Sequence, residues 1–155
     1  MGFLFAQTNL RTDTSFAMTD FCEVKKFLVV DLNGAGICSY LNDLGVEDQL
    51  IYAQPDIDIA IEEFDYIDPS LVIVSIEPPQ QGGMRMINWV KQKNPNIAVI
   101  AVAYDASPEA AASAIRTGAT DFLDLGLSDP AERLGRRIQR SLSLVEGRQQ
   151  LSRLE

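Results

Sequence analysis

The 155-residue sequence has no histidine, only two cysteines and a single tryptophan. Without imidazole, histidine-based acid/base catalysis and histidine-ligated metal sites are excluded. Cys22 and Cys38 form no CxxC pair, so zinc is unsupported and a reduced, cytoplasmic setting is expected, with a disulfide between the two as the alternative. Cations are scarce too: 13 Lys and Arg against 22 Asp and Glu give a net charge of −9, the wrong sign for a phosphate backbone or an anionic bilayer. No apolar run approaches the length of a membrane span. The opening MGFLFA lacks a basic flank, and Ala6 stands where an N-terminal acylation signal needs Ser or Thr. Neither nucleic acid nor membrane is an expected partner, and neither metal nor cofactor is an expected ligand.

What remains is rich in apolar residues. At 46% hydrophobic, the chain suffices for one core and is short for two. Residues 1–24, with the unpatterned TNLRTDTS, read as a flexible leader, residues 25–146 as one domain, and residues 147–155 as the start of a helical linker to a further module. FLVV (27–30), LVIV (71–74) and IAVIAVA (97–103) are continuous apolar runs, the pattern of strands buried on both faces of a parallel sheet. LIYA (50–53) and DFLDLG (121–126) supply two shorter strands.

Helical spacing falls between the strands. Residues 34–44, 56–64 and 84–93 carry it, the last closed by an Asn-Pro step. Ser107 and Pro108 start a fourth helix that Gly118 stops. Asp129, Pro130 and Glu132 start a fifth, in a near capping box. Five successive βα units predict an α/β fold, a doubly wound five-stranded parallel sheet with an extended C-terminal helix.

Sites in such folds lie at the carboxyl ends of the strands. Those ends are Asp31, Leu32 and Asn33; Ser75, Ile76 and Glu77; Val102, Ala103, Tyr104 and Asp105; and Asp124, Leu125 and Gly126. With Pro79 and Gly83 four and eight residues beyond Ser75, and RTGATDFLDLG near the end of the domain, residues 25–146 resemble the response-regulator receiver, or CheY-like, family. The resemblance implies a (βα)5 flavodoxin-like sheet in the order 2-1-3-4-5. It also implies a phospho-acceptor aspartate on strand 3, a pair of Mg²⁺-holding acids after strand 1, a strand-4 hydroxyl and a strand-5 lysine.

Set against that pattern, the scaffold is kept and most reactive groups are missing. Ser75 stands at the acceptor position, Leu32 leaves Asp31 as the lone acid, Val102 stands for the hydroxyl and Leu125 for the lysine; Phe122 keeps the strand-5 aromatic. Acyl phosphate formation needs a carboxylate nucleophile, and Mg²⁺ needs anionic oxygen to offset its dehydration. A serine without a base is a poor nucleophile. The expectation is a pseudo-receiver, not an enzyme, in which Ser75 closes a strand end, Asp31 caps the first helix and Trp89 packs between helices.

Two small-ligand readings compete for the first loop. D-L-N-G-A-G (31–36) has the shape of a cobalamin-binding signature with Asn33 at the ligating position, and Gly34 and Gly36 begin a dinucleotide fingerprint whose third glycine is replaced by Ser39.

If the pocket is inert, function moves to the surface. Arg133, Arg136, Arg137 and Arg140 recur along one side of the last helix, and from Glu132 to Glu155 six Arg stand against three Glu. The stripe is either a solvated face paired with the acidic body or an interface. The interface reading is a homodimer through the fourth helix, fifth strand and fifth helix, or an acidic protein partner, within two-component-type signalling and with an output domain downstream. A narrower version is the amino-terminal domain of a Tad-type pilus-assembly ATPase.

Overall fold

The apolar runs form strands because branched side chains pack well on a pleated surface that is covered on both faces. A computed structural model describes residues 25–31, 36–76 and 82–154, with side chains described as far as Val145. Strands β1 (Phe27–Val30), β2 (Ile51–Ala53), β3 (Leu71–Ser75), β4 (Ala98–Ala103) and β5 (Asp121–Asp124) pair in parallel in the order β2-β1-β3-β4-β5. This is the expected 2-1-3-4-5 sheet. The helices are α1 (Ile37–Asp43), α2 (Ile57–Ile67), α3 (Gly82–Lys93), α4 (Pro108–Thr117) and α5 (Pro130–Leu154).

Strand alternation divides the core in two. Phe27, Val29, Leu71, Ile73, Ile100 and Val102 pack with Ile37 and Leu41 of α1 and Leu134 and Ile138 of α5. Leu28, Val30, Val72, Val74, Val99 and Ala101 pack with α2, α3 and α4 through Phe64, Ile87 and Ala114. Phe64 and Trp89 meet edge to face, with centroids 5.1 Å apart, which makes Trp89 the α2–α3 packing residue it was read as.

The element ends are set by local chemistry. Ser107 Oγ accepts from the Ala110 amide at 3.1 Å, and Pro108 occupies the first turn of α4, as its sequence predicts. Asp56 caps α2 by accepting from Asp58 and Ile59. That helix runs to Ile67, past the expected end at residue 64, before Asp68 turns left-handed at φ 53°. Asp129 also has φ 53°, instead of the extended backbone usual for a capping residue, and its carbonyl accepts from the Arg133 amide. α5 continues unbroken across residue 147. The leader, residues 1–24, lies outside the described residues.

Candidate functional site at the carboxyl end of the sheet

β3 ends on Ser75 itself, and all five of its residues are buried. Ser75 is 0% exposed, and its hydroxyl donates to the Val30 carbonyl at 3.4 Å, a long bond back into the neighbouring strand. Alternation puts Ser75 on the side that Leu71 and Ile73 present to α1 and α5. Val102 pairs with it in register and is 0% exposed, and Leu125, just past β5, is 2% exposed. The sheet thus brings Ser75, Val102 and Leu125 together as a largely apolar floor.

Gly83 fixes the height of the following helix over that floor. A Cβ at Gly83 would lie 2.4 Å from the Ser75 carbonyl oxygen and 2.8 Å from Ile76 Cγ2. The first turn of α3 therefore sits directly on the end of β3, an approach only glycine permits. Pro79 and Glu77 lie outside the described residues.

Asp31 leaves β1 on the same side. Its Oδ2 accepts from the Gly36 amide at 3.1 Å, one residue before α1. This is the helix-start role expected of it, at an end where Gly36 offers no side-chain cap. Cys38, half-buried on α1, has its thiol pKa pushed up by burial and by the charges of Asp31 and Asp48. Leu32, Asn33 and Gly34 lie outside the described residues, which leaves the glycine-loop readings without described geometry apart from Gly36. Among the described residues, no three His, Cys, Asp or Glu converge as metal ligands.

Phe122 is separated from Val102. It pairs in register with Ala101 and packs with the α2–α4 side of the core, while Val102 belongs to the α1–α5 side. Ala103, one residue later, shares the face of Ala101 and Phe122. Neither offers a hydroxyl.

Two features of this end of the sheet go beyond the sequence-based expectations. The hydroxyls of Tyr40 on α1 and Tyr104 beyond β4 lie 2.7 Å apart and tie together the elements that flank Ser75 on this face. The two residues are 64 positions apart, and no local pattern links them. Asp124 Oδ1 accepts from the amides of both Asp105, at 2.9 Å, and Gly126, at 2.8 Å. The second bond is an Asx turn, a signal that Asp-Leu-Gly carries in the sequence. A Cβ at Gly126 would meet Asp105 Oδ1 at 2.7 Å, so a larger residue there would push the Asp105 carboxylate aside.

The arginine stripe divides. Arg137 donates to Asp121 Oδ1 at 2.6 Å and to the Phe122 carbonyl at 3.0 Å, and Arg133 donates to the Asp124 carbonyl at 2.8 Å. Both are half-buried against β5, Arg137 in an ion pair with Asp121 and Arg133 on a backbone carbonyl. Arg136 and Arg140 are exposed, with Arg136 3.7 Å from Glu132 one turn away.

No protein-family model matches the chain. It is 31% identical over 85 residues to the luminescence regulatory protein LuxO of Vibrio campbellii, a match covering 55% of this chain and 18% of that protein. The chain therefore spans under a fifth of that relative's length. The structure of NtrX from Brucella abortus superposes with a TM-score of 0.72 and 26% identity over 86% of this chain and 30% of that one. The isolated NtrX receiver domain gives a TM-score of 0.65 and 28% identity, covering 76% of this chain and 98% of that domain. The homologues and structural neighbours of this chain are thus response-regulator receiver domains of CheY-like fold.

Proposed function

We propose that this chain is a receiver-like regulatory domain of two-component-type signalling that acts through protein contacts and does not run the phosphoryl switch. The observation that carries this reading is Ser75. The residue at the acceptor position is a fully buried hydroxyl beside two buried aliphatic side chains, Val102 and Leu125. Acyl phosphate chemistry needs a carboxylate nucleophile and cationic groups to neutralise the transferred phosphoryl. A serine in an apolar setting supplies neither, and the sequence contains no histidine to activate it.

On this reading the domain is no enzyme and needs no cofactor. It works in the cytoplasm on a protein partner, a second copy or an output module continuous with α5. The length of LuxO and NtrX beyond their matched regions supports such a module. A homodimer through α4, β5 and α5 would draw on Arg136 and Arg140, because Arg133 and Arg137 are occupied by β5. The Tad-type ATPase and cofactor-binding alternatives gain nothing from these relatives.

The test is incubation with acetyl phosphate and Mg²⁺, followed by intact-mass spectrometry, with amide NMR after addition of Mg²⁺ and beryllofluoride. The expected result is an unchanged mass and no shifts centred on Asp31 and Ser75. A phosphoryl adduct on any residue of this end of the sheet would overturn the reading.

A further inference from the structure

Between Lys26 and Arg85 the sequence has no Lys or Arg but eleven Asp and Glu, half of the chain's 22 acids. α2 lies in the middle of this stretch. On its side nearest α3, Asp58 pairs with Arg85, and Asp65 pairs with Lys93 at 3.2 Å. On its other exposed side Glu62 and Glu63 flank two apolar side chains, Ile59 at 43% exposure and Tyr66 at 87%. Spacings of three, four and seven residues align these four as one outward stripe.

α5 carries a stripe of complementary character. Arg136, Arg140 and Leu144 follow each other at four-residue intervals, all exposed, Leu144 at 45%. The Arg136–Glu132 pair is long and solvated, with side chains 72% and 56% exposed, so it binds the arginine only weakly. α2 and α5 cover opposite faces of the sheet and cannot meet within one chain.

We propose that α5 of one copy docks along α2 of a second copy. Arg136 and Arg140 then lie against Glu62 and Glu63, and Leu144, one turn beyond, covers Tyr66, the more exposed of the two apolar side chains. The occupant follows from charge: two α2 faces repel each other, while the exposed stripe of α5 offers the opposite sign with an apolar residue at one end. Because the two patches differ, the contact is heterologous, and each pair of copies keeps one free α2 and one free α5. Association is therefore open-ended, not a closed dimer. The inference rests on the contact-based function above, not on the inert pocket, and takes the place of the α4–β5–α5 homodimer, since Arg136 and Arg140 cannot serve both contacts.

The test is analytical ultracentrifugation of the 155-residue chain at low and high sodium chloride. Wild-type protein should grow in mass with concentration, past the dimer, and return to monomer at high salt. Glu62→Arg with Glu63→Arg, and separately Arg136→Glu with Arg140→Glu, should each be monomeric, with circular dichroism confirming that both fold. Mixed in equal amounts, the two variants should associate again, since the arginines of the first meet the intact glutamates of the second.

Three results would overturn the proposal. One is a wild-type monomer at every concentration. Another is association lost in the α5 variant alone, which indicates a symmetric α5 contact. The third is a mixture that stays monomeric, which assigns the α2 face to a different protein. A phosphoryl adduct in the mass experiment would remove the inert-pocket reading and leave these outcomes unchanged.

Discussion

The α-carbon of Gly83 sits so close to the carbonyl of Ser75 that a methyl group on it would come within 2.4 Å of the oxygen. The nearest atoms include the backbone of Ser75 and the Cα of Ile76, at 3.0 Å, which cannot rotate aside as the end of a side chain can. Gly83→Ala must therefore lift α3 off the end of β3. The expected cost is about 1–3 kcal/mol, the range for overpacking a close-packed site. A lowered urea midpoint with unchanged slope would show it, and a wild-type midpoint would mean that the loop before α3 absorbs the displacement.

Asp124 holds the β4–α4 and β5–α5 loops together through one carboxylate oxygen that accepts from Asp105 and Gly126. Asp124→Ala leaves two amides to water, at an expected cost of about 1–2 kcal/mol, since both bonds are solvent-exposed and partly replaceable. Asp124→Asn keeps an acceptor oxygen and should recover much of the loss. Hydrogen exchange gives a local readout: the amides of Asp105 and Gly126 should exchange faster in the alanine variant than in the asparagine variant.

The sheet could be read from the sequence because its signals are local and redundant. FLVV and LVIV are apolar at every position, and Ser107-Pro108 with Gly118 brackets α4 at both ends. Ser75, Leu125 and Val102 were legible for the same reason, since strand ends are fixed once strands are. The face each residue takes was harder to read: Val102 and Ala103 are neighbours, and only the register with β5 shows which of them shares a side with Phe122. The Tyr40–Tyr104 contact depends on the tertiary packing of α1 against β4, which periodicity does not encode. Arg133 and Arg137 looked like surface residues because helical spacing shows a stripe and not what lies beneath it. Asp121 and the β5 carbonyls lie beneath this one.

Ser141 on α5 is fully buried, and its hydroxyl has no hydrogen-bond partner among the described residues. A buried hydroxyl without a partner has lost its water and gained nothing in return. Ser141→Ala removes the polar atom, leaves no large void and raises helix propensity. Stability should rise by about 0.5–1 kcal/mol, visible as a higher melting temperature. A drop would show that the hydroxyl is satisfied in solution.

Cys38 supplies a dependence on pH. Burial, Asp31 and Asp48 all disfavour its thiolate, so the folded thiol keeps its proton to a higher pH than an unfolded one. Alkylation by iodoacetamide at neutral pH should be slow in the native protein, because the thiolate is the nucleophile. Asp48→Asn removes one of the raising charges and should move the alkylation profile towards lower pH. For stability the sign follows from linkage: a folded pKa above the unfolded value stabilises fully below the unfolded pKa. That contribution fades as pH rises through the folded pKa. Wild-type protein should therefore lose more stability than Cys38→Ala across the alkaline range, in urea titrations at matched ionic strength. Parallel curves for the two proteins would show that Cys38 titrates alike in both states and that neither Asp31 nor Asp48 acts on it.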